Sequence, residues 1–352
     1  MPARPAPSAR TAVDVFIPMP ACDDWSACAA TPVLRARAEM LARIRAFFAA
    51  AGVMEVETPI LSHAGATDPA LASLSLSGGL SGGGSDADRR LFLQTSPEFP
   101  MKRLLASGSG PIYQICKVFR GEERGRRHHP EFSLLEWYRP GMDYGQLIDE
   151  VADLVRAALQ RPTLPMERIR YRDLFREVLD LDPFTAPLQT LREAAVTAEI
   201  PDADRLDLER DGWLDLLLTQ CLEPRLGRSG MGFLCDYPPS QAALARIRPG
   251  SAPPDDQPVA ERFELYIDGV ELANGFHELT DAAEQGARFA HDCAERRRLG
   301  LAEIPPDTRL LAALEAGMPA SSGVALGLDR LLMIAVGATH IDQVLAFPVE
   351  RA

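Results

Sequence analysis

Two stretches of this chain, 112–120 and 131–138, alternate apolar with polar residues, and a short basic loop separates them. Period-two alternation marks strands, and strands joined through so short a loop pair as a long antiparallel hairpin. The loop holds Arg124, Arg126, Arg127, His128 and His129. The hairpin commits the middle of the chain to an antiparallel sheet, and the other elements are read around it.

Leu34, Ala38, Leu41, Ile44 and Phe48 recur at helical spacing, and the helix stops near Gly52. Residues 54–57 then alternate up to Thr58-Pro59, a strand ended by proline. Short strands are expected at 91–94 and 324–326, and Phe263 to Asn274 is strand-like. The stretch 143–225 reads as mostly helical, with Leu147, Val151, Leu154 and Ala158 marking one helix. Further helices are expected at 281–299 and 329–336. Residues 77–90 and 248–258 read as surface loops, and the Pro/Ala-rich residues 1–31 as a loose tail before a single domain from 32 to 352. There are no internal repeats. Strands clustered around a helical insertion argue for an α+β fold with an antiparallel sheet, not a repeated βαβ array.

Composition bounds the chemistry. The chain has 352 residues, 46% hydrophobic and 25% charged, which are globular values. A net charge of −13 and a pI near 5.0 exclude coating of nucleic acid by bulk charge, but leave room for a local basic groove. No apolar run is long enough for a membrane span, and the first residues lack the apolar core of a secretory signal. The six cysteines (22, 28, 116, 221, 235 and 293) form no Cys-x-x-Cys pair, so a zinc site is not expected. Cys116 and Cys235 lie in apolar runs and read as core residues, and a reducing cytoplasm is the expected location.

Four segments can carry chemistry. Arg120-Gly121-Glu122 ends one hairpin strand and Arg127-His128-His129-Pro130-Glu131-Phe132 opens the next. An arginine fork suits phosphate oxygens, a carboxylate reads an exocyclic amine, and an aromatic face takes a base. Alone, such a loop reads rather as a solvated charged turn. Glu264, Glu271 and Glu278 stand seven residues apart. On a regular strand Glu264 and Glu271 face opposite ways; a turn at Asp268-Gly269 is expected to bring them to one side. One or two carboxylates with phosphate oxygens hold magnesium, and a third suits a substrate ammonium. Exposed strand glutamates are the plain alternative, against which stands Glu271-Leu272-Ala273-Asn274-Gly275-Phe276-His277-Glu278, too polar for a buried strand. Ser322-Gly323-Val324-Ala325-Leu326-Gly327-Leu328-Asp329-Arg330 is a small-residue strand turning on glycine into a helix whose first turn carries Arg330, a combination suited to polyphosphate or to a simple strand–helix join. Thr95-Ser96-Pro97-Glu98, followed by Met101-Lys102-Arg103-Leu104, offers either an amine grip or a helix start with an acidic first turn.

In this order the segments resemble the class II aminoacyl-tRNA synthetases, the lysyl-tRNA synthetase branch in particular. Residues 33–59 look like motif 1, 112–138 like motif 2 and 322–336 like motif 3. The resemblance implies a sheet flanked by helices, a homodimer through motif 1, and activation of an amino acid by ATP with Mg2+. By position it implies Arg120 and Arg330 as catalytic residues, Arg120 at the α-phosphate, and Glu122 at the adenine amine under a stacked Phe132. It puts His128 and Arg330 near the outer phosphates, with His129, Leu272 and Gly327 also around the nucleotide. Glu264 and Glu271 would hold the metal. Ser96, Pro97, Glu98, Glu136, Tyr138, Asn274, Glu278 and Ala325 would line the amino-acid pocket, with Glu98 on the backbone-side amine and Glu278 on the distal one.

There are departures. Gly121 and His129 stand where the branch has asparagine, and Ala325 where it has glycine. The tail of 31 residues is expected to be too short for an anticodon-binding barrel of about 100 residues. These features resemble the truncated lysyl-tRNA synthetase paralogues that ligate (R)-β-lysine or lysine to a lysine of elongation factor P. The resemblance implies elongation factor P as acceptor, no stable tRNA binding and no membrane. The basic loop is expected beside the cleft mouth, lowering the pKa of the acceptor amine. A minimal tRNA-charging enzyme and a catalytically silent paralogue are the alternatives; the latter usually lacks the motif arginines or the metal carboxylates that are present here.

Overall fold

In the computed structural model, which describes residues 25–76, 90–251 and 257–352, the expected hairpin lies inside a nine-stranded sheet. The chain opens with α1 (Thr31–Ala50), β1 (Met54–Glu55), β2 (Leu61–Ser62), β3 (Ser75–Leu76), β4 (Leu91–Leu93) and α2 (Glu98–Ala106). The hairpin strands β5 (Ile112–Phe119) and β6 (Glu131–Pro140) lead to α3 (Tyr144–Leu159). An insertion follows, with β7 (Met166–Arg170), α4 (Tyr171–Leu179), α5 (Leu188–Thr197) and α6 (Arg210–Leu217). The chain continues through β8 (Met231–Tyr237), β9 (Ile247–Arg248), β10 (Val259–Ile267) and β11 (Val270–His277). It then passes through α7 (Ala282–Arg298), α8 (Thr308–Gly317), β12 (Ser321–Gly327) and α9 (Leu328–Val336).

The main sheet runs β1-β5-β6-β12-β11-β10-β8-β7, with β9 on β10; β2, β4 and β3 form a small second sheet. The fold is α+β as expected, but the sheet is mixed. Its interior pairs are antiparallel, whereas β1–β5 and β7–β8 are parallel. Each parallel pair is joined by a long connection containing helices, as parallel neighbours require. Strands β7, β8 and β9 and helix α8 were not expected from sequence. Sheet-edge β7 reads Met-Glu-Arg-Ile-Arg, with no residue fully buried, so its charge hides its strand character.

Part of the loop expected at 77–90 and part of that at 248–258 lie outside the described residues, as does most of the 1–31 tail. The end of that tail is tied down: the Cys28 and Ala29 amides donate to Ala346 and Leu345 carbonyls. Cys235 is buried as expected, whereas Cys116 is half-buried.

Alternation sorts the two faces of the sheet. Leu135 and Trp137 of β6 and Val324 and Leu326 of β12 point into the main core with α1, α3 and α9. Phe48 of α1 is central to it, stacked on Tyr113 at 4.3 Å and set edge-on to Trp137 at 5.4 Å. Removing this fully buried ring leaves a cavity between helix and sheet. Phe48→Ala is expected to cost about 3–5 kcal/mol, read as a lowered denaturant midpoint with an unchanged slope. The other face is covered only at its sides, by a cluster of α2, α7 and α8 residues and by the insertion. Between them the sheet is open.

Candidate active site

The opening is a cleft of about 1260 Å³. Its floor is made by the residues of β12 that face away from the core: Gly323, Ala325 and Gly327. Their cross-strand partners on β6 are Tyr138, Glu136 and Leu134, and Ala325 also faces Asn274 on β11. Small residues on one strand thus make a trench between two strands carrying functional side chains. Gly323 is indispensable to it. A Cβ there would sit 2.4 Å from Glu278 Oε1 and 2.4 Å from the Tyr138 ring.

One end of the trench is acidic. Glu98 opens α2, so the segment is both a helix start and part of the cleft wall. Ser96 Oγ accepts from the Glu98 amide and donates to Glu136 Oε1 at 2.5 Å. Tyr138 OH donates to Glu136 Oε2 at 3.0 Å. Burial, then the neighbouring Glu98 charge, pushes Glu136 up to about 8. Glu278 is 1% exposed; burial raises its pKa while Lys102 pulls the other way. Pro97 shapes the turn before α2 without lining the cleft. Lys102, to which sequence reading gave no role, completes this end. Its Nζ lies 2.6 Å from Glu98 Oε1 and 2.5 Å from Glu278 Oε2.

The other end is cationic. Arg330 begins the second residue pair of α9 and works as a hub. It donates to the Arg127 carbonyl at 3.3 Å, to the Glu271 carbonyl at 2.9 Å and to Glu271 Oε2 at 3.3 Å. Its remaining nitrogen meets His128 Nε2 at 2.7 Å. Burial and then the Arg330 charge lower the His128 pKa, so the imidazole is neutral and accepts this hydrogen bond. Arg120 lies over the Phe132 ring, 5.1 Å from its centroid, a fixed flat platform beside a guanidinium. Asp329, another residue missed from sequence, is buried. It accepts from Arg37 of α1 and from the Ser133 amide, anchoring the start of α9 to both elements. Among the described residues the cleft lining contains seven arginines and no lysine.

Glu264 and Glu271 share a face, but the turn at Asp268-Gly269 does not do this alone. The register between β10 and β11 shifts at Leu265/Tyr266, where Ala273 and Glu271 oppose consecutive residues. The extra residue, Leu272, puts Glu271 and Asn274 on one side. Burial and then Glu264 raise the Glu271 pKa. A divalent cation would relieve this repulsion, so the pair suits a metal. The two are not equivalent, however. Glu271 lines the cleft, whereas Glu264 does not, being bonded to Arg262, Tyr237 and Tyr266. Among the described residues no group of three or more His, Cys, Asp or Glu is arranged to hold a metal.

Three residues of the motif 2 loop are placed differently from the simplest expectation. Glu122 is exposed in a left-handed backbone conformation (φ 63°) and leaves the cleft wall to Glu123, 3.7 Å from Arg120. The reversal follows from Gly121, which packs against Ala72 and donates its amide to the Ala72 carbonyl at 2.7 Å. His129 lines the cleft but its ring nitrogens serve the backbone. Nε2 accepts from the Val349 amide, so Nδ1 carries the proton and donates to the Glu131 carbonyl. Arg124 is not a free cation beside the cleft, because its fork is paired with Asp342 and Glu350. Arg127 does line the cleft, while one of its nitrogens donates to the Gly269 carbonyl.

The family model for class II tRNA synthetases (D, K and N) matches residues 24–351. The chain belongs to this family. The class II chain is 47% identical to the elongation factor P–(R)-β-lysine ligase of Klebsiella pneumoniae (strain 342), over 93% of this chain and 98% of that one. It is 48% identical to the protein of the same name from Vibrio cholerae serotype O1, over 94% and 99%. That of Enterobacter sp. (strain 638) is 46% identical, over 93% and 98%. The class II assignment explains why the cleft lies on an open sheet face between motif 2 and motif 3 strands, and it implies use of ATP.

Proposed function

We propose that this ligase activates (R)-β-lysine or lysine as an aminoacyl-adenylate and transfers the acyl group to the ε-amine of a lysine on elongation factor P. The observation that carries the reading is the polarity of the trench. Three carboxylates, Glu98, Glu136 and Glu278, converge at one end, and Arg120, Arg330 and neutral His128 at the other. A substrate with two ammonium groups and one carboxylate, laid along it, directs its carboxylate toward the phosphates. The names and full-length match of the relatives support elongation factor P as acceptor.

Adenylation needs alignment and charge stabilisation more than a protein nucleophile. The substrate carboxylate attacks the α-phosphorus and pyrophosphate leaves. Arg120 takes the α-phosphate oxygens, while Arg330, aligned by Glu271 and His128, meets the departing charge. Phe132, with Leu272 and Gly327 leaving backbone accessible, flanks the base. Glu271, backed by Glu264, would hold Mg2+, which supplies positive charge at the phosphates when bound. In the second half the acceptor amine, having lost its proton, attacks the acyl carbonyl and AMP leaves. Ala325 puts a methyl group on the trench floor between Asn274 and Glu136, narrowing the pocket where the amino acid's backbone would lie.

Exposed Met54 on the edge strand β1, within motif 1, supports a homodimer through that motif. The five described cysteines are free thiols, which supports a reducing cytoplasm. Among the described residues no helix is long and apolar enough to cross a membrane.

The test incubates protein, Mg-ATP and (R)-β-lysine with elongation factor P or, separately, with lysine tRNA. Intact-mass measurement is expected to show one lysyl-type addition on the factor, and acid precipitation no charged tRNA. Charged tRNA with an unmodified factor would instead establish a minimal tRNA synthetase.

A further inference from the structure

We infer that Lys102 is a positioning residue that sets the charge of the amino-acid pocket, holding Glu98 and Glu278 in place from behind so that the pocket selects a substrate with two ammonium groups. The inference deepens the function proposed above and rests on it.

The three carboxylates line the cleft, whereas Lys102 does not. Its side chain is 1% exposed and its Nζ bridges Glu98 and Glu278 at 2.6 and 2.5 Å. The ammonium therefore sits on the far side of the carboxylates and touches no ligand. Burial works against its charge, but Glu278 and Glu98 outweigh burial and raise its pKa, so it stays an ammonium. The choice of residue is itself informative. Only two of the 37 basic residues, Lys102 and Lys117, are lysines. At position 102 the chain keeps a compact ammonium with three donors, where a planar guanidinium would need more room.

Charge arithmetic then gives the selectivity. Three ionised carboxylates against one resident ammonium leave two negative charges, which two ligand ammonium groups neutralise. In the empty pocket part of that charge is removed by protonation. Glu136 faces Glu98 from α2, Glu278 after β11, Tyr138 on its own strand and Cys116 on β5, and burial and then the Glu98 charge favour its protonated form. Binding of a diammonium ligand is therefore coupled to loss of a proton. Without Lys102 the carboxylates would repel one another, bind protons to higher pH and lose their fixed positions.

The test uses the full chain with Lys102→Met, an apolar replacement of similar length. Calorimetry should show (R)-β-lysine and lysine binding weakened about thirtyfold or more, with ATP binding within about twofold of wild type. The pH of half-maximal amino-acid affinity should move up by about one unit. Equal losses for ATP and amino acid with no pH displacement would reduce Lys102 to a structural residue, and unchanged amino-acid affinity would remove the role altogether. If the variant does not fold, wild-type protein carries the test. In two buffers of different ionisation enthalpy at pH 7, lysine should bind with release of a proton and norleucine, which lacks the distal ammonium, with none. Equal release for both overturns the inference. The two readings fail separately. Wild type without pyrophosphate exchange for any diamino acid sinks the proposed function, whereas normal exchange with an indifferent Lys102→Met variant sinks only this inference.

Discussion

Arg330→Ala is expected to lower pyrophosphate exchange about a thousandfold while leaving the thermal midpoint within a few degrees. One preorganised donor to a developing oxyanion is worth about a hundred- to a thousandfold. Arg330 lies at the top of that range because its loss also frees Glu271 and His128, both aligned by its nitrogens. Arg330→Lys should recover only part of the rate, since an ammonium cannot reach the Arg127 and Glu271 carbonyls, Glu271 Oε2 and the imidazole at once. Exchange within tenfold of wild type in the alanine variant would move the phosphate end of the cleft elsewhere.

Gly323→Ala should act at the opposite end with a comparable effect. The added methyl would occupy space 2.4 Å from Glu278 Oε1 and the Tyr138 ring, both packed in place. Glu278 cannot retreat without leaving Lys102, and displacing one partner of a buried pair costs about 3–5 kcal/mol. At ~1.4 kcal/mol per tenfold, the amino-acid concentration required for exchange should rise by about two to three and a half powers of ten. The ATP requirement should stay near wild type, because Arg120 and Arg330 are untouched. A parallel loss of ATP affinity would show that the strand itself, and not the pocket, had been displaced.

The sequence disclosed the trench better than the walls around it. Gly323, Ala325 and Gly327 alternate with Val324 and Leu326, so the period-two pattern that marks a strand also separates a floor from a core. The hairpin, the small strand and the carboxylate-bearing stretch could be placed because each joins local pattern to unusual residues. What escaped depended on non-local contacts. No spacing announces that Lys102 lies behind Glu98 and Glu278, which are 180 residues apart in the chain. The inward turn of Glu123 in place of Glu122 depends on Gly121 packing against Ala72 in a distant loop. The one-residue bulge at Leu272 is a property of two strands in register, and neither strand alone records it. Strand β7 was hidden because its charges suit the sheet edge it occupies.

The cationic lining of the cleft has a chemical consequence beyond binding. A mixed anhydride of an amino acid and a phosphate acylates any unprotonated amine within reach. Among the described residues the seven side chains along the cleft that carry a permanent positive charge are all arginines, whose guanidinium groups stay protonated and are poor nucleophiles. The nearby lysine is clamped as an ammonium by two carboxylates, with its lone pair withheld. The cleft in which the activated acyl group would form thus presents no unprotonated lysine amine to it. The group can wait for an amine delivered from outside without meeting one of the enzyme's own lysine amines there.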